Sequence, residues 1–223
     1  MFTTEFASLI AVIGGIGDLG SAIARRLAKV GEREVIGSQN PAKAVETAIR
    51  LTAATARSVG AAGNIQTELV ILTEPLASQE AALRKIGEAI AAKNVVDTTV
   101  PLVPPKVKRV RLPPEGSAAV RAQKILVDGI HVVSAFQNTA AHNTAAHKLV
   151  TDGVVDRDVL ALGKDKLARY SVVRLVGACG LRILNTGTLV KSTAAEPLTP
   201  SLNFINKQDT VDGSGIRITG IKC

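Results

Sequence analysis

Three glycines, Gly15, Gly17 and Gly20, stand in the spacing G-x-G-x-x-G within "AVIGGIGDLGSAIARRLAKV", residues 11–30. An apolar run precedes them. An amphipathic pattern follows, with Leu19, Ile23 and Leu27 along one face, so the spacing falls where a strand turns into a helix. In that setting Gly15 permits the tight turn, Gly17 lets backbone approach a diphosphate, and Gly20 lets helix and strand pack closely. The free N–H groups and partial positive charge at the helix start complement phosphate oxygens. The chemistry predicted here is the grip on a dinucleotide.

The end of the second strand bears on which dinucleotide. An NAD site usually carries Asp or Glu there, to bind the ribose 2′-hydroxyl. The stretch "GSQNPAK" instead supplies Ser38, Gln39 and Asn40, with Lys43 beyond. No carboxylate repels a 2′-phosphate, Ser38 can donate to it and Lys43 can neutralise it, so NADP is expected. The plain alternative for Lys43 is a solvated helix residue. No Ser-His-Asp order, catalytic carboxylate pair or metal-ligand spacing is present. His131 lies in an apolar strand and reads as a packed residue. His142 and His147 are five apart, so a regular helix would not put them on one face, and zinc lacks a ligand set. No catalytic side chain and no metal site are expected; a bound cofactor would carry the reaction.

Strand and helix signals alternate along the chain. Strands are expected at Leu9–Gly14, Glu34–Gly37, "ELVILTEP", "KNVVDTT", "IHVVSAF", "DVLAL" and "LRIL". Helices are expected at Asp18–Val30, Ala42–Arg57, Gln79–Ala92, Ser117–Leu126, from about Lys164 to Val176, and in a final stretch to Lys207. That alternation predicts an α/β, Rossmann-type doubly wound fold: a mainly parallel sheet with a smaller C-terminal lobe. Residues 1–137 would form the dinucleotide-binding domain, and residues 138–223 the smaller C-terminal lobe. "TTVPLVPP", Thr98 to Pro105, reads as a stiff crossing beyond the strand ends, where such sheets place ligands. The tandem "NTAAHNTAAH", residues 138–147, is too short for a repeat architecture and reads as a loop.

Composition narrows the partners. Apolar residues make up 46% and the formal charge is +8, which favours anionic partners. Aromatics are only 2%, with no Trp, so the stacking platforms of single-strand and RNA readers are missing. A phosphorylated small ligand fits better than nucleic acid. No apolar stretch approaches the ~20 residues that span a bilayer, and the N-terminus lacks a secretory signal pattern. Cys179 and Cys223 are far apart and read as free thiols of a reduced, cytoplasmic protein.

With these residues in view, the sequence resembles the NADPH-dependent coenzyme F420 reductase (F420-dependent NADP oxidoreductase) family over most of its length. The resemblance is carried by "GGIGDLG", "VILTEP", "VVDTTVPLVPPK", "PPEGSAA", "VVSAFQN" and the tail "LTPSLNFINK…GIRITG". It implies hydride transfer between NADP(H) and the deazaflavin F420, with NADP on the N-terminal domain and the C-terminal part closing the deazaflavin cleft. It further implies NADP contacts from Ile16, Gly17, Asp18 and Leu19, and places Ser38, Gln39 and Lys43 around the 2′-phosphate. Leu76, Ala141 and Ser214 would lie near the cofactor. A homodimer is also implied. Gln39 stands where the family usually has Arg, and "NTGTLVKS" departs from the family pattern. Ser58–Glu68 is shorter than the family's third strand and helix, as if one α/β unit were missing or collapsed. Lys106, Lys108, Arg109 and Arg111 would attract the anionic deazaflavin tail, or form a solvated basic loop. Two other readings stay open: an NADP-dependent reductase of a flavin, pterin or imine, and a non-catalytic NADP-binding redox module.

Overall fold

The structure, a computed structural model, describes residues 9–55, 59–61, 67, 69–89, 94–103, 105, 109–139, 156–211 and 213–221. The first strand, β1 (Ile10–Ile13), reads "IAVI" because both its faces and both its edges are covered. Helix α1 (Asp18–Val30) follows and stops at Gly31, whose φ of 88° is the left-handed conformation that ends helices. Next come β2 (Glu34–Gly37) and α2 (Pro41–Thr55), which Pro41 starts without losing a helix hydrogen bond. Asn40 caps α2, its Oδ1 accepting the Lys43 N–H at 3.1 Å.

A two-residue edge strand β3 (Gly60–Ala61) pairs with β2, so the short third unit keeps its strand. It is followed by β4 (Leu69–Leu72), α3 (Leu76–Ala89), β5 (Asn94–Asp97), α4 (Ala118–Ile125) and β6 (His131–Ser134). The chain continues through β7 (Asp158–Gly163), α5 (Lys166–Ala178) and β8 (Arg182–Gly187). A 3-10 turn (Leu189–Lys191), α6 (Ser192–Ala195) and α7 (Leu198–Gln208) complete the regular structure.

Among the described residues the strands form one sheet in the order β3-β2-β1-β4-β5-β6-β7-β8. Pairing is parallel from β3 to β6, β7 runs antiparallel to β6, and β8 is parallel to β7. The expected doubly wound fold is therefore present, and the sheet runs on without a break into the residues after 137.

Strand alternation decides which helices each face receives. Ile10, Val12, Val96 and Val133 meet Ile23 and Leu27 of α1, Leu51 of α2 and Leu175 of α5. Ala11, Val95 and Val132 turn the other way, toward Leu83 of α3 and Ala119 and Ala122 of α4. Two helix starts differ from expectation by more than one residue. Helix α3 begins directly after Pro75, three residues before Gln79. Helix α5 begins at Lys166, because the Asp165 carboxylate caps it by accepting the Ala168 N–H at 2.7 Å.

Candidate functional site

Because β1 is flanked by β2 on one side and β4 on the other, the chain leaves β1 and β4 toward opposite faces of the sheet. Helix α1 packs on one face and α3 on the other. Such a switch point leaves a crevice beyond the strand ends.

The glycine loop forms one wall. Its positive-φ residue is Gly14, at +77°, so the sharp turn falls there and not at Gly15. A Cβ on Gly14 would stand 2.8 Å from Thr73 Oγ1. Gly15 has a different constraint: a Cβ there would meet the Val12 carbonyl at 2.9 Å and Ile36 at 3.0 Å. Gly20 fits as expected, since its Cβ would come within 2.6 Å of Thr73 Oγ1 and 2.7 Å of the Gly14 carbonyl. Gly17 caps α1 with no side chain, and its nearest neighbour would be 3.3 Å away. That leaves the first turn of α1 open toward the crevice. Thr73 fastens the loop from β4, its hydroxyl donating to the Ile13 carbonyl at 2.9 Å.

The crevice is a cleft of about 260 Å³ that reaches from Gly17–Gly20 to Asn203 on α7. Thr98 and Thr99, from the "VVDTT" motif, line its floor and tie strand ends together. The Thr98 hydroxyl donates to the Leu72 carbonyl at 3.0 Å, and the Thr99 hydroxyl to the Glu74 carbonyl at 3.2 Å. Beneath them Asp97 is fully buried. It accepts from Gln79 Nε2 at 2.8 Å and from the Thr99 N–H at 3.2 Å. Burial pushes its carboxyl up to about 6 despite those bonds. Glu74, at the cleft wall, is also raised by burial.

Beyond β6 the backbone of buried Phe136 sits at a φ of 70°, a left-handed conformation that a bulky side chain seldom adopts. The Thr139 N–H donates to the Phe136 carbonyl at 3.0 Å and fixes the turn. Gln137 follows and donates through Nε2 to the Asp97 carbonyl at 2.9 Å.

The C-terminal elements close over this side. The Thr199 hydroxyl of α7 donates to the Gln137 carbonyl. Buried Glu196 accepts the Ala118 and Ala119 N–H groups at 2.8 and 3.1 Å, so it covers the start of α4 from outside that helix. Burial, with a smaller contribution from the Asp97 charge, pushes its carboxyl up to about 8. Ser117 and Ser192 add a hydroxyl pair at 2.6 Å.

Of the residues singled out from the sequence, Gly17, Asp18, Leu19, Gly20 and Leu76 line the cleft. Gly15 and exposed Ile16 belong to the turn beside it. Ser38, Gln39 and Lys43 lie at the adjacent end of β2, which the Gly14 N–H joins to the loop by donating to the Gly37 carbonyl at 3.0 Å. Ser38 Oγ accepts the Asn40 N–H at 3.1 Å, leaving its own proton to donate; Gln39 and Lys43 are exposed. Ser214 is fastened to α7, donating through N–H to Asn206 Oδ1 at 2.7 Å and through Oγ to the Leu202 carbonyl at 3.2 Å.

Ala141, His142, His147, Lys106, Lys108 and Cys223 lie outside the described residues. His131 is half-buried, and Arg109 and Arg111 are exposed. Cys179 is buried, and its thiol is pushed up to about 12, chiefly by burial. Among the described residues no group of three His, Cys, Asp or Glu is placed to hold a metal ion, and no helix is long and apolar enough to cross a membrane. Sequence reasoning missed Thr73, Gln137, Thr199 and Asn203 as cleft residues. Gln137 lies in "VVSAFQN" and Asn203 in "LTPSLNFINK", so the motifs were visible while the direction of each side chain was not.

Comparison with known proteins adds an independent line. The family described as NADP oxidoreductase, coenzyme F420-dependent, matches residues 9–101. The chain is 35% identical to an F420-dependent NADP reductase of Methanothermobacter marburgensis, over 95% of this chain and 98% of that protein. It is 33% identical to another of that name from Methanocaldococcus jannaschii, over 96% of this chain and 99% of that protein. Among solved structures, a candidate F420-dependent NADP reductase from Arthrobacter sp. FB24 shares the fold with a TM-score of 0.78. That match has 24% identity and covers 96% of this chain and 100% of the other.

Proposed function

The chain belongs to the coenzyme F420-dependent NADP oxidoreductase family, and from that premise we propose that it transfers hydride between NADP(H) and F420. The single observation that carries this reading is the cleft itself. It starts at an open glycine-capped helix and ends on buried polar groups of Gln137 and Asn203 that have no partner in the fold. A cradle kept free of Cβ atoms fits a diphosphate, and the unpaired amide atoms fit the edge of a polar ring.

In this reading the N–H groups at the start of α1, beside Gly17, Asp18 and Leu19, hold the diphosphate, and Gly15, Ile16 and Gly20 shape the turn that presents them. Ser38 donates to the 2′-phosphate, with Gln39 and Lys43 at its side. Leu76 lines the path to the ring, and Ala141 and Ser214 belong to the same neighbourhood through residues 138–223, which close the cleft over residues 1–137. The bound dinucleotide and deazaflavin supply the carbons that exchange hydride. What the protein adds is position and a dry surface. Phe136 and Leu102 provide apolar walls, the threonines keep strand-end carbonyls paired, and α7 lines one side with Thr199 and Asn203.

The test is anaerobic mixing of the purified protein with NADPH and oxidised F420. Loss of the deazaflavin's visible absorbance, slower with NADH, is expected. NADPH binding with no change in F420 would overturn the reading. The proposal extends to a cytoplasmic homodimer. Phe204, Ile205 and Val211 are exposed near the end of α7 and supply an apolar patch of the kind that subunits cover. Sedimentation at twice the chain mass is expected; a monomer at micromolar concentration would contradict it.

A further inference from the structure

Two side chains lining the cleft carry polar atoms that the fold leaves unsatisfied. Gln137 is 1% exposed and Asn203 is 7% exposed. Gln137 spends its amide N–H groups on the Asp97 carbonyl and on Ser134 Oγ, which identifies Oε1 as its free end. That Oε1 has no partner, and neither has Asn203 Nδ2. Folded proteins pair nearly all such buried atoms, so an orphan acceptor and an orphan donor in one cleft call for an explanation. The surroundings hold both side chains in place. The left-handed turn at Phe136 sets the direction of Gln137, and the Thr199 hydroxyl, one helical turn before Asn203, donates to the Gln137 carbonyl. That bond ties α7 to the backbone after β6, at the junction that carries both amides.

We infer that Gln137 Oε1 and Asn203 Nδ2 act as a matched pair that reads a flat amide edge, a carbonyl beside an N–H, on the redox ring in the cleft. This rests on the functional reading above and makes both side chains positioning residues. Neither is charged and neither passes a proton or hydride. Oε1 accepts the ligand's N–H, and Nδ2 donates to its carbonyl. Two rings offer that edge: the carboxamide of nicotinamide and the dione edge of the deazaflavin. The adenine end of the dinucleotide is not a candidate, because the Ser38–Lys43 segment lies at the end of β2, on the glycine-loop side of the cleft.

The test is direct binding by calorimetry to wild type and Asn203→Leu, with the melting temperature of each measured alongside. The ligands are NADP+, 2′-phospho-ADP-ribose, which lacks the ring, and F420. A loss of about tenfold is expected for one ring-bearing ligand. If the loss falls on NADP+ and spares 2′-phospho-ADP-ribose, the edge is the nicotinamide carboxamide. If it falls on F420 and spares NADP+, the edge is the deazaflavin dione. Unchanged affinity for both in a variant that melts like wild type overturns the inference. So does equal weakening of NADP+ and the ring-less fragment.

Should Asn203→Leu not fold, ligand analogues on the unaltered protein address the Gln137 side. The 3-acetylpyridine form of NADP+ and N3-methylated F420 each lack the N–H that Oε1 would accept. One of them should bind about tenfold more weakly than its parent; parity of both overturns the inference. Wild type that binds neither NADP+ nor F420 overturns the functional reading itself. That outcome is told apart because it appears without any substitution.

Discussion

Within one loop, Gly17 and Gly20 should respond to the same substitution for different reasons. Gly20→Ala would press a methyl against Thr73 Oγ1 at 2.6 Å and the Gly14 backbone at 2.7 Å, so α1 must move off the sheet. A loss of about 2 kcal/mol or more in stability is expected, read by chemical denaturation, with NADP binding lost alongside. Gly17→Ala meets only the Gly14 carbonyl at 3.3 Å. It should cost about 1 kcal/mol as a poorer helix cap, yet raise the NADP Kd more than about tenfold by filling the space the diphosphate needs. At the end of β2, Ser38→Asp should shift preference from NADP toward NAD, because the new carboxylate repels a 2′-phosphate and accepts from a 2′-hydroxyl; the ratio of the two Kd values measures it.

The glycine spacing was legible from the sequence because each glycine answers to a local backbone demand. The turn was misplaced by one residue, from Gly14 to Gly15, because Thr73 is what crowds Gly14, and Thr73 arrives from 59 positions later in the chain. Asp97, Gln137 and Asn203 were illegible for the same reason. Their roles depend on partners from other elements.

Most elements were readable because the central strands β1 and β4 are buried on both faces and so are continuously apolar. The antiparallel β6–β7 step was not readable, since strand direction leaves no trace in either strand's composition. Nor was the outside cap on α4, where Glu196 comes from the far end of the chain. Glu196→Ala should free the α4 N–H groups, lower stability by about 1–2 kcal/mol and loosen the C-terminal elements, seen as faster amide exchange in α4 and α7.

Glu34, at the start of β2, is buried with both carboxyl oxygens unpaired. Burial, aided by the charge of Glu32, pushes it up to about 8. Glu34 and Glu196 thus hold protons more tightly when folded than when unfolded. The stability they lend is complete below their usual value of 4.5 and is lost as pH rises through about 8. Buried Asp97 adds the same trend, lost as pH rises through about 6. The melting temperature should therefore fall between pH 5 and pH 8. Glu34→Gln should flatten that fall, raising the melting temperature at pH 8 by on the order of 3 °C.

At the level of the whole molecule, a chain of formal charge +8 encloses a cleft whose described lining contains no Lys or Arg and includes the carboxyls of Asp18 and Glu74. On the proposed reading the grip on the diphosphate would come from backbone N–H groups at a helix start, with Lys43 helping at the 2′-phosphate. Raising salt from about 50 to 300 mM should weaken NADP+ binding no more than about threefold, and should narrow its advantage over NAD+, because only the exposed lysine is screened.

On the proposed reading the cleft lets one ring pass hydride to another without water between them. Reduced NADPH carrying deuterium at both positions of the reactive ring carbon tests that claim in ordinary water. Mass spectrometry of the F420 product should find one deuteron per molecule, carried across directly. Product free of deuterium would contradict the account, since the hydrogen would then have come from solvent.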